Sequence, residues 1–351
     1  MTGARLRAAA LVAALAALLA ACAPPGGELQ DRTSRGGRKA SQLLAPTPRD
    51  AKRCRVRPPR IALRDAKVGF AQVENNNPFR IAETESLKAA AKQRGVDLLV
   101  TDAQSNTPKQ VADMQDMVAQ GVDFIIVPPR EELGLTPALE TARKAGVPVL
   151  FADRAATATP CRDYLTFIGS NFVEQGQRAA EWLVKATKGR AKVAELLGTV
   201  GATATNDRGK GFESVISKHK GMQLVAQQSG DFARAPGQNV MEQILGANPD
   251  LDAVYAQNDE MALGAIQALK DAGLKPGKDI QVVSVDGSRD ALEAIIRGDL
   301  GATVETNPRF GPLAFDTIQR FLDGEPIPTK VIVKDRLFDK SNARAFVEYA
   351  Y

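Results

Sequence analysis

The sequence has 351 residues, of which 44% are hydrophobic and 25% are charged, and its net charge is +5. This length and composition are typical of a soluble globular protein with two domains. The positive charge is confined to the N-terminal part: residues 23–65 carry eleven Lys/Arg and four Asp/Glu, whereas residues 66–351 carry a net −4. The body therefore has no basic excess that would attract nucleic acid, and we exclude nucleic acid as a partner.

The N-terminus predicts an export signal. Arg5 and Arg7 precede an acid-free apolar run at residues 8–21, which is too short and too rich in alanine to span a bilayer stably. The run ends in LAAC at residues 19–22, which resembles the lipobox of bacterial lipoproteins, where the cysteine takes up a lipid and becomes the mature N-terminus. We expect lipidation of Cys22; the alternative is an ordinary secretory signal in which the cysteine falls there by chance.

Residues 22–65 are rich in Pro, Gly and Arg, and we interpret them as a disordered tether. Its charge either attracts it to an anionic membrane surface or is simply solvated. An exported compartment permits a disulfide between Cys54 and Cys161, but their spacing alone leaves the pairing open. No CxxC or Cys/His cluster suggests a metal site, and the single histidine, His219, lies at a polar helix end rather than in a catalytic pattern.

From residue 66 onwards, apolar runs rich in Val and Ile alternate with helical stretches. The predicted strands are Lys67–Ala71, Asp97–Thr101, Phe124–Val127, Val147–Phe151, Leu165–Gly169, Lys192–Leu197, Gln223–Gln227, Ala253–Ala256, Gln281–Val285, Ala302–Glu305 and Val331–Val333. The predicted helices are Phe79–Arg94, Pro108–Gln120, Thr136–Ala145, Phe172–Lys188, Asp207–Lys218, Pro236–Leu245, Glu260–Ala272, Arg289–Arg297 and Arg309–Leu322. These units are too many for one small sheet, so the sequence predicts an α/β fold with two doubly wound parallel-sheet lobes.

Polar and aromatic side chains follow strand after strand in this pattern. In doubly wound sheets ligands bind beyond the carboxyl ends of the strands, so these positions are the candidate site. The candidates are Asn77, Phe79, Arg80, Glu83, Asp153, Arg154, Asp207, Arg208, Phe232, Asn258, Asp286 and Thr306. Carboxylates, amides and guanidinium groups bond hydroxyls that both donate and accept, and an aromatic ring covers a C–H face. The set of residue types therefore points to a sugar.

Simpler interpretations exist for single residues. In these interpretations Asn77 and Asn258 serve as helix caps and nothing more, Asp286 forms a plain turn, and Arg208 is a solvated helix residue. Collectively, polar residues at the same end of so many strands are hard to explain by capping. An enzyme is disfavoured because no GxGxxG follows the first strand, no GxxxxGK[ST] occurs, and no nucleophile or base stands out. No cofactor, metal or catalytic residue is predicted.

Seven motifs occur in an order that resembles type I periplasmic sugar-binding proteins of ABC importers, the ribose and galactose group. The motifs are VGFAQ, NNPF, FADR, DRGKGF, GDFAR, YAQNDEMALGAIQAL and VSVDG. The resemblance runs from about residue 66 to residue 335. Within the group, Phe79-Arg80, LLGTVGATATNDRGKGF and QSGDFAR closely resemble the galactofuranose-binding protein, although Phe79 stands where that protein has tryptophan.

The resemblance implies roles for the candidate residues. The residues that would bond sugar hydroxyls are Asn77, Asp153, Arg154, Arg208, Asn258 and Asp286. Phe79 would stack on one ring face, and Phe232 would approach from the second lobe. Arg80 with Glu83 could bond an additional exocyclic hydroxyl. Thr306 falls where the ribose binder has a glutamine, so its contact is less secure.

The resemblance also implies the architecture and the partners. The chain would cross between the lobes near Ser170, Thr306 and Val331. The resulting lobes would be residues 66–170 with 307–331, and residues 171–306 with 332–351. A monosaccharide would bind in the cleft, the lobes would close by hinge rotation only because both contact the sugar, and the closed monomer would be presented to a membrane permease. The expected location is outside the cytoplasm, anchored by lipid.

Three rival functions fit parts of this pattern. A binding protein that feeds a chemoreceptor or a sensor kinase would have the same body. A sugar-sensing transcription factor would need an N-terminal helix-turn-helix where this chain has an export signal. An exported Rossmann-type enzyme would need the cofactor loop that the first strand lacks.

Overall fold

The computed structural model describes residues 53–54 and 56–351. The predicted signal peptide, the lipidation of Cys22 and most of the expected tether lie outside the described residues. Within the described part, no helix combines the length and the apolar character needed to cross a membrane.

Strands and helices alternate along almost the whole described chain. The strands are β1 (Arg53–Cys54), β2 (Lys67–Gln72), β3 (Asp97–Asp102), β4 (Phe124–Val127), β5 (Val149–Ala152), β6 (Thr166–Gly169), β7 (Arg190–Leu197), β8 (Gly221–Ser229), β9 (Ala253–Ala256), β10 (Gln281–Asp286), β11 (Ala302–Glu305), β12 (Ile327–Pro328), β13 (Lys330–Ile332) and β14 (Leu337–Asp339). The α-helices are α1 (Pro78–Arg94), α2 (Thr107–Ala119), α3 (Thr136–Ala145), α4 (Phe172–Ala186), α5 (Thr203–Ile216), α6 (Arg234–Ala247), α7 (Asp259–Asp271), α8 (Arg289–Arg297), α9 (Gly311–Leu322) and α10 (Ala343–Phe346).

Two six-stranded sheets form two lobes, as predicted. The first lobe has the strand order β13-β6-β5-β4-β2-β3, and all of its pairings are parallel. The second has the order β14-β11-β10-β9-β7-β8, in which only β14 is antiparallel to its neighbour. In both sheets the strand order reverses next to the first strand of the lobe, which is the topology that leaves a crevice at the carboxyl ends.

The central strands are buried on both faces, which explains their near-continuous apolar sequences. Every residue of β4 and β5 is buried, and helices cover the sheet on each side. In the second lobe, the ring of Tyr255 stacks on Phe212 at 4.1 Å between centroids. Helices α4 and α5 pack closely because Gly176 has no side chain: a Cβ there would lie 2.0 Å from the carbonyl oxygen of Arg208. This close approach fixes the position of Arg208.

The chain passes between the lobes three times, between β6 and α4, between β11 and α9, and between β13 and β14. One carboxylate joins these passages. Asp335, on the third, accepts hydrogen bonds from Ser170 Oγ (3.0 Å) on the first and from Gln175 Nε2 (2.7 Å). Gln175 Nε2 also donates to Thr306 Oγ1 (2.9 Å) on the second. The hinge is therefore a connected polar network around Gln175.

Part of the expected tether differs from the interpretation as a disordered segment. Strand β1 pairs with β12, Cys54 forms a disulfide with Cys161, and Leu63 is 7% exposed. The disulfide links residues 107 positions apart and so ties the segment to the first lobe. Residues 53–54 and 56–65 are consequently part of the folded body, because the disulfide and the buried side chain of Leu63 hold a sequence that is otherwise mostly polar.

Candidate functional site

A cleft between the lobes collects most of the predicted site residues. Its lining is Glu74, Asn77, Phe79, Arg80, Asp153, Arg154, Ala204, Arg208, Phe232, Asn258 and Asp286. The space between them that no protein atom occupies is about 330 Å³, including the part open to solvent. A larger recess beside α5, with Lys210 and Glu213 in its wall, contains none of the predicted residues. The cleft is the better candidate because charged and aromatic groups from both lobes converge there.

Arg80 is the centre of the cluster in the first lobe. It is 2% exposed, and its two terminal nitrogens lie 2.8 Å from Glu83 and 2.8 Å from Asp153. Burial alone would lower the pKa of Arg80, but the charges of Asp153 and Glu83 raise it overall. Burial raises the pKa of Glu83 to about 7 because desolvation outweighs the attraction of Arg80. Arg80 is thus a permanent cation whose fork is held by two buried carboxyl groups.

The turn after β5 positions two more charged groups. Asp153 has φ +59°, in the left-handed region, and its amide is fixed by a hydrogen bond to the carbonyl of Ile168 (2.9 Å). Arg154 follows, 4% exposed, with its guanidinium carbon 5.0 Å from the centre of the Phe232 ring. Burial, together with the nearby charge of Arg80, lowers the pKa of Arg154 to about 10. Its Nε is buried without a hydrogen-bond partner among the described residues. Of the cleft arginines, Arg154 therefore keeps the most unused donor capacity.

Arg208 is the centre of the cluster in the second lobe. Its Nε donates to Gln175 Oε1 (2.9 Å), one terminal nitrogen donates to the carbonyl of Gln257 (2.6 Å), and the other donates to Thr306 Oγ1 (2.9 Å). The same nitrogen lies 3.4 Å from Asp286, whose pKa burial raises well above its usual value while Arg208 lowers it. Arg208 is therefore fixed in its rotamer before any ligand arrives.

Phe232 presents its ring between these two clusters. It has φ +57° and is 6% exposed. Gly198 makes room for it, since a Cβ at that position would lie 1.9 Å from the far end of the ring. The guanidinium carbon of Arg208 lies 5.9 Å from the centre of the Phe232 ring, and that of Arg154 lies 5.0 Å from it. Cations from both lobes thus flank one aromatic ring.

Two cleft asparagines also cap helices, as the simpler interpretation suggested. Asn77 Oδ1 accepts from the amide of Arg80 (3.0 Å) at the start of α1. Asn258 Oδ1 accepts from the amide of Met261 (3.0 Å) at the start of α7, and its Nδ2 donates to the carbonyl of Phe232 (3.0 Å). Capping and a place in the cleft are compatible for Asn258, whose amide nitrogen retains a second proton, whereas Asn77 Nδ2 already lies 3.3 Å from Glu74 Oε1 and 3.3 Å from Asn76 Oδ1.

Three predicted residues do not line the cleft. Glu83 is fully buried behind Arg80, and Thr306 is fully buried behind Arg208, so each supports a cleft arginine from the side away from the cavity. Asp207 is half-buried near the junction of the lobes, and burial and the charge of Glu132 raise its pKa. Two residues that line the cleft, Glu74 and Ala204, were not predicted from the sequence. Glu74 lies two residues after the end of β2, so its position beyond a strand could have identified it as a site residue.

The lobes also contact each other across the mouth of the cleft. The amide of Glu132 donates to the carbonyl of Gly201 (2.8 Å), and Asn206 Nδ2 donates to Glu132 Oε1 (2.8 Å). Nearby, the amide of Ala155 donates to Thr203 Oγ1 (3.2 Å). The cleft is consequently closed around its charged lining.

The family profile described as "Periplasmic binding protein domain" matches residues 68–326. The chain belongs to this family. It is 37% identical over 286 residues to the galactofuranose-binding protein YtfQ of Escherichia coli K12, an alignment that covers 80% of this chain and 90% of that protein.

Two solved structures in the family resemble the chain and have furanose sugars bound. The periplasmic binding protein of an arabinose ABC transporter from Shewanella sp. ANA-3, bound to α- and β-L-arabinofuranose, is 44% identical with a TM-score of 0.78, covering 81% of this chain and 95% of that one. A protein from Mycobacterium smegmatis in complex with β-D-fucofuranose is 40% identical with a TM-score of 0.78, covering 81% and 94%. The likeness spans both lobes and the cleft between them.

Proposed function

We propose that this protein captures a monosaccharide, in a furanose form related to galactofuranose, between its two lobes and delivers it to an ABC importer. The observation that carries the proposal is the pair of arginine–carboxylate clusters, Arg80 with Asp153 and Arg208 with Asp286, which face one cleft from opposite lobes. Each cluster offers hydrogen-bond donors and acceptors in a fixed geometry, as vicinal hydroxyl groups require.

The aromatic and cationic parts of the cleft support a small, uncharged ring. Phe79 and Phe232 provide apolar surface for C–H groups. Three acidic side chains and three arginines line the cleft and already balance much of each other's charge, so a ligand of high charge would leave some of these groups unpaired. The furanose form is supported by the sugars named for the similar proteins; it is a proposal for this chain.

Isothermal titration calorimetry with L-arabinose, D-galactose, D-fucose and D-ribose tests the proposal, together with native mass spectrometry of the freshly purified protein. We expect binding of at least one sugar in a one-to-one complex. The informative variant is Arg154→Met, because Arg154 has few internal partners and its loss leaves little unsatisfied. The affinity should fall about 10- to 100-fold, as for loss of hydrogen bonds from a charged group.

A matched control is Arg94→Met. Arg94 lies at the end of α1, pairs with Asp316 at 2.5 Å and is outside the cleft. Its replacement should leave the sugar affinity unchanged. Absence of binding to any of the four sugars by the wild-type protein would overturn the proposal, and equal losses in the two variants would show that the cleft is not the site.

Export and attachment to a membrane through lipidated Cys22 form part of the same proposal, as do a monomeric state and the absence of enzyme activity. The LAAC sequence supports the lipid anchor. Metabolic labelling with palmitate should mark the wild-type protein and not the Cys22→Ala variant. Delivery to an importer predicts that cells without this protein lose uptake of the bound sugar; unchanged uptake would favour a sensor partner instead.

A further inference from the structure

Tyr351 connects the two lobes beside the cleft. Its carbonyl oxygen accepts a hydrogen bond from the amide of Arg289 (2.9 Å), at the start of α8 in the second lobe. Its ring meets the ring of Phe79 edge to face, with 5.9 Å between centroids and an angle of 82°. Phe79 belongs to the first lobe and lines the cleft. Tyr351 is thus anchored on one lobe and contacts the aromatic wall of the other.

The hydroxyl of Tyr351 is the unexplained group. It is buried from solvent and has no hydrogen-bond partner among the described residues. Leaving a buried hydroxyl unpaired costs about 1–3 kcal/mol, and folded proteins rarely retain such a group without a bound water or ligand. A partner that comes and goes with the ligand would explain why the protein itself supplies none.

The contact with Phe79 places the ring of Tyr351 beside the cleft, and burial keeps the proton on its hydroxyl. Burial raises the pKa of Tyr351 well above its usual value, and the negative charge of Asp286 raises it further. Asp259 and Glu260 act in the same direction and Arg208 in the opposite one. The phenol therefore stays protonated at any physiological pH and can both donate and accept, which is what a sugar hydroxyl needs.

We propose that Tyr351 is an additional sugar-contacting residue: its ring closes the cleft against Phe79, and its hydroxyl pairs with a hydroxyl of the bound sugar. The inference rests on the proposed function. It adds a contact that depends on closure, because the residue reaches the first lobe only when the lobes meet. A tyrosine in this place would favour sugars with a hydroxyl directed at the seam over deoxy analogues without one.

The test compares Tyr351→Phe with Tyr255→Phe. The hydroxyl of Tyr255 is also buried without a hydrogen-bond partner among the described residues, but its ring stacks on Phe212 inside the second lobe, whereas the ring of Tyr351 meets Phe79 of the first lobe. Affinities are measured by calorimetry for L-arabinose, D-galactose and D-fucose, and folding is checked by urea denaturation. We expect Tyr351→Phe to weaken binding about three- to tenfold, as for one hydrogen bond, and Tyr255→Phe to change it less than twofold.

The three sugars identify the contacted hydroxyl. D-fucose lacks the 6-hydroxyl of D-galactose, so if Tyr351 binds that group, the Tyr351→Phe loss seen with galactose disappears with fucose. Tyr351→Ala removes the ring as well and should weaken all three sugars beyond the Phe variant. Wild-type affinity in both Tyr351 variants, with the wild-type protein binding sugar normally, would overturn this inference alone. A wild-type protein that binds none of the sugars would overturn the proposed function and this inference with it.

Discussion

Gln175 determines how the hinge and the binding cleft support each other. It is 1% exposed, its amide oxygen accepts from Arg208 Nε at 2.9 Å, and its amide nitrogen donates to Asp335 Oδ2 at 2.7 Å and Thr306 Oγ1 at 2.9 Å. The side chain thus links the second-lobe arginine of the cleft to two of the three hinge passages. Its replacement by a residue of similar size without polar atoms should disturb both.

We expect Gln175→Met to reduce both stability and affinity. Hydrogen bonds to charged groups contribute about 1.5–3 kcal/mol each and neutral ones about 1 kcal/mol, and the variant loses two of the first kind, to Arg208 and Asp335. The free energy of unfolding should therefore fall by about 3–6 kcal/mol. Because Arg208 keeps its bonds to Gln257 and Thr306, it should be loosened rather than lost, and the sugar affinity should fall about tenfold.

The assay is urea denaturation followed by the fluorescence of Trp182, the single tryptophan, together with calorimetric titration of the sugar. Gln177→Met is the matched control on the same helix, since its amide makes only a 3.5 Å contact with Ser214. Its effect on stability should remain within about 0.5 kcal/mol. If Gln175→Met and Gln177→Met behave alike, the network around the hinge does not contribute as argued.

Three further outcomes are expected. Arg80→Lys keeps a cation but loses the planar guanidinium group that reaches two carboxyl groups. The free energy of unfolding, measured by urea denaturation, should fall by about 1.5–3 kcal/mol, and the sugar affinity, measured by calorimetry, should fall about tenfold. Wild-type values in both assays would refute the role of the guanidinium group. Burial raises the pKa of Asp335 to about 7, so the stability from this group is complete below about pH 4 and is lost as the pH rises through 7. Between pH 5 and 8 the unfolding free energy should fall by about 1–2 kcal/mol, a value discounted for partial exposure, and Asp335→Asn should flatten this dependence; parallel pH profiles would contradict it. Reduction of the Cys54–Cys161 disulfide should cost about 2–5 kcal/mol, seen as a lower melting temperature with reductant, and the double Cys→Ala variant should be insensitive to reductant.

Arg80→Ala would disturb the fold as well as the binding site. The buried carboxyl groups of Glu83 and Asp153 flank Arg80, so its removal would leave them without their cation. Breaking a buried ion pair from one side destabilises a protein by about 3–5 kcal/mol. Arg80→Lys is the more informative substitution because it keeps the charge.

The alternation of strands and helices could be predicted because burial on both faces demands continuous apolar runs. Strands β4, β9 and β11 have the predicted bounds. Helix α5 was placed too late, at Asp207 instead of Thr203, because no side-chain cap marks its start after Ala202. The two-residue strands β1 and β12 carry too few residues for any periodicity.

Side-chain direction is the part of the site that the sequence could not provide. Asp286 is the last residue of β10 and Thr306 directly follows β11, yet Asp286 lines the cleft and Thr306 lies behind Arg208. Which one faces the cavity depends on backbone angles such as the φ of +135° at Asp286, which has no sequence signature outside glycine. Tyr351 and Gln175 were missed for a related reason: each reaches the site from a distant element and has no neighbouring motif.

The sequence predicts that the lobes close only because both contact the sugar. The structure shows that other contacts also favour closure. Glu132 makes two hydrogen bonds to the second lobe, to the carbonyl of Gly201 and to Asn206, and each contributes about 0.5–1.5 kcal/mol. These contacts favour the closed form whether or not a ligand is present. An opposing effect is therefore needed if the empty protein is to open.

Desolvation of the cleft supplies that opposing effect. Closing the lobes buries Arg154 and Asp286, and burial disfavours the charged form of each. It therefore lowers the pKa of Arg154 and raises the pKa of Asp286. Arg154 Nε lies 3.8 Å from Asp153, and neither this nitrogen nor the Tyr351 hydroxyl has a hydrogen-bond partner among the described residues, so without a ligand their burial is only partly compensated. A sugar that pairs with them relieves this penalty only in the closed form. The sugar therefore shifts the population toward the closed form by the free energy of the penalty that it relieves. The direct contacts at the mouth of the cleft supply the rest of the free energy that closure needs.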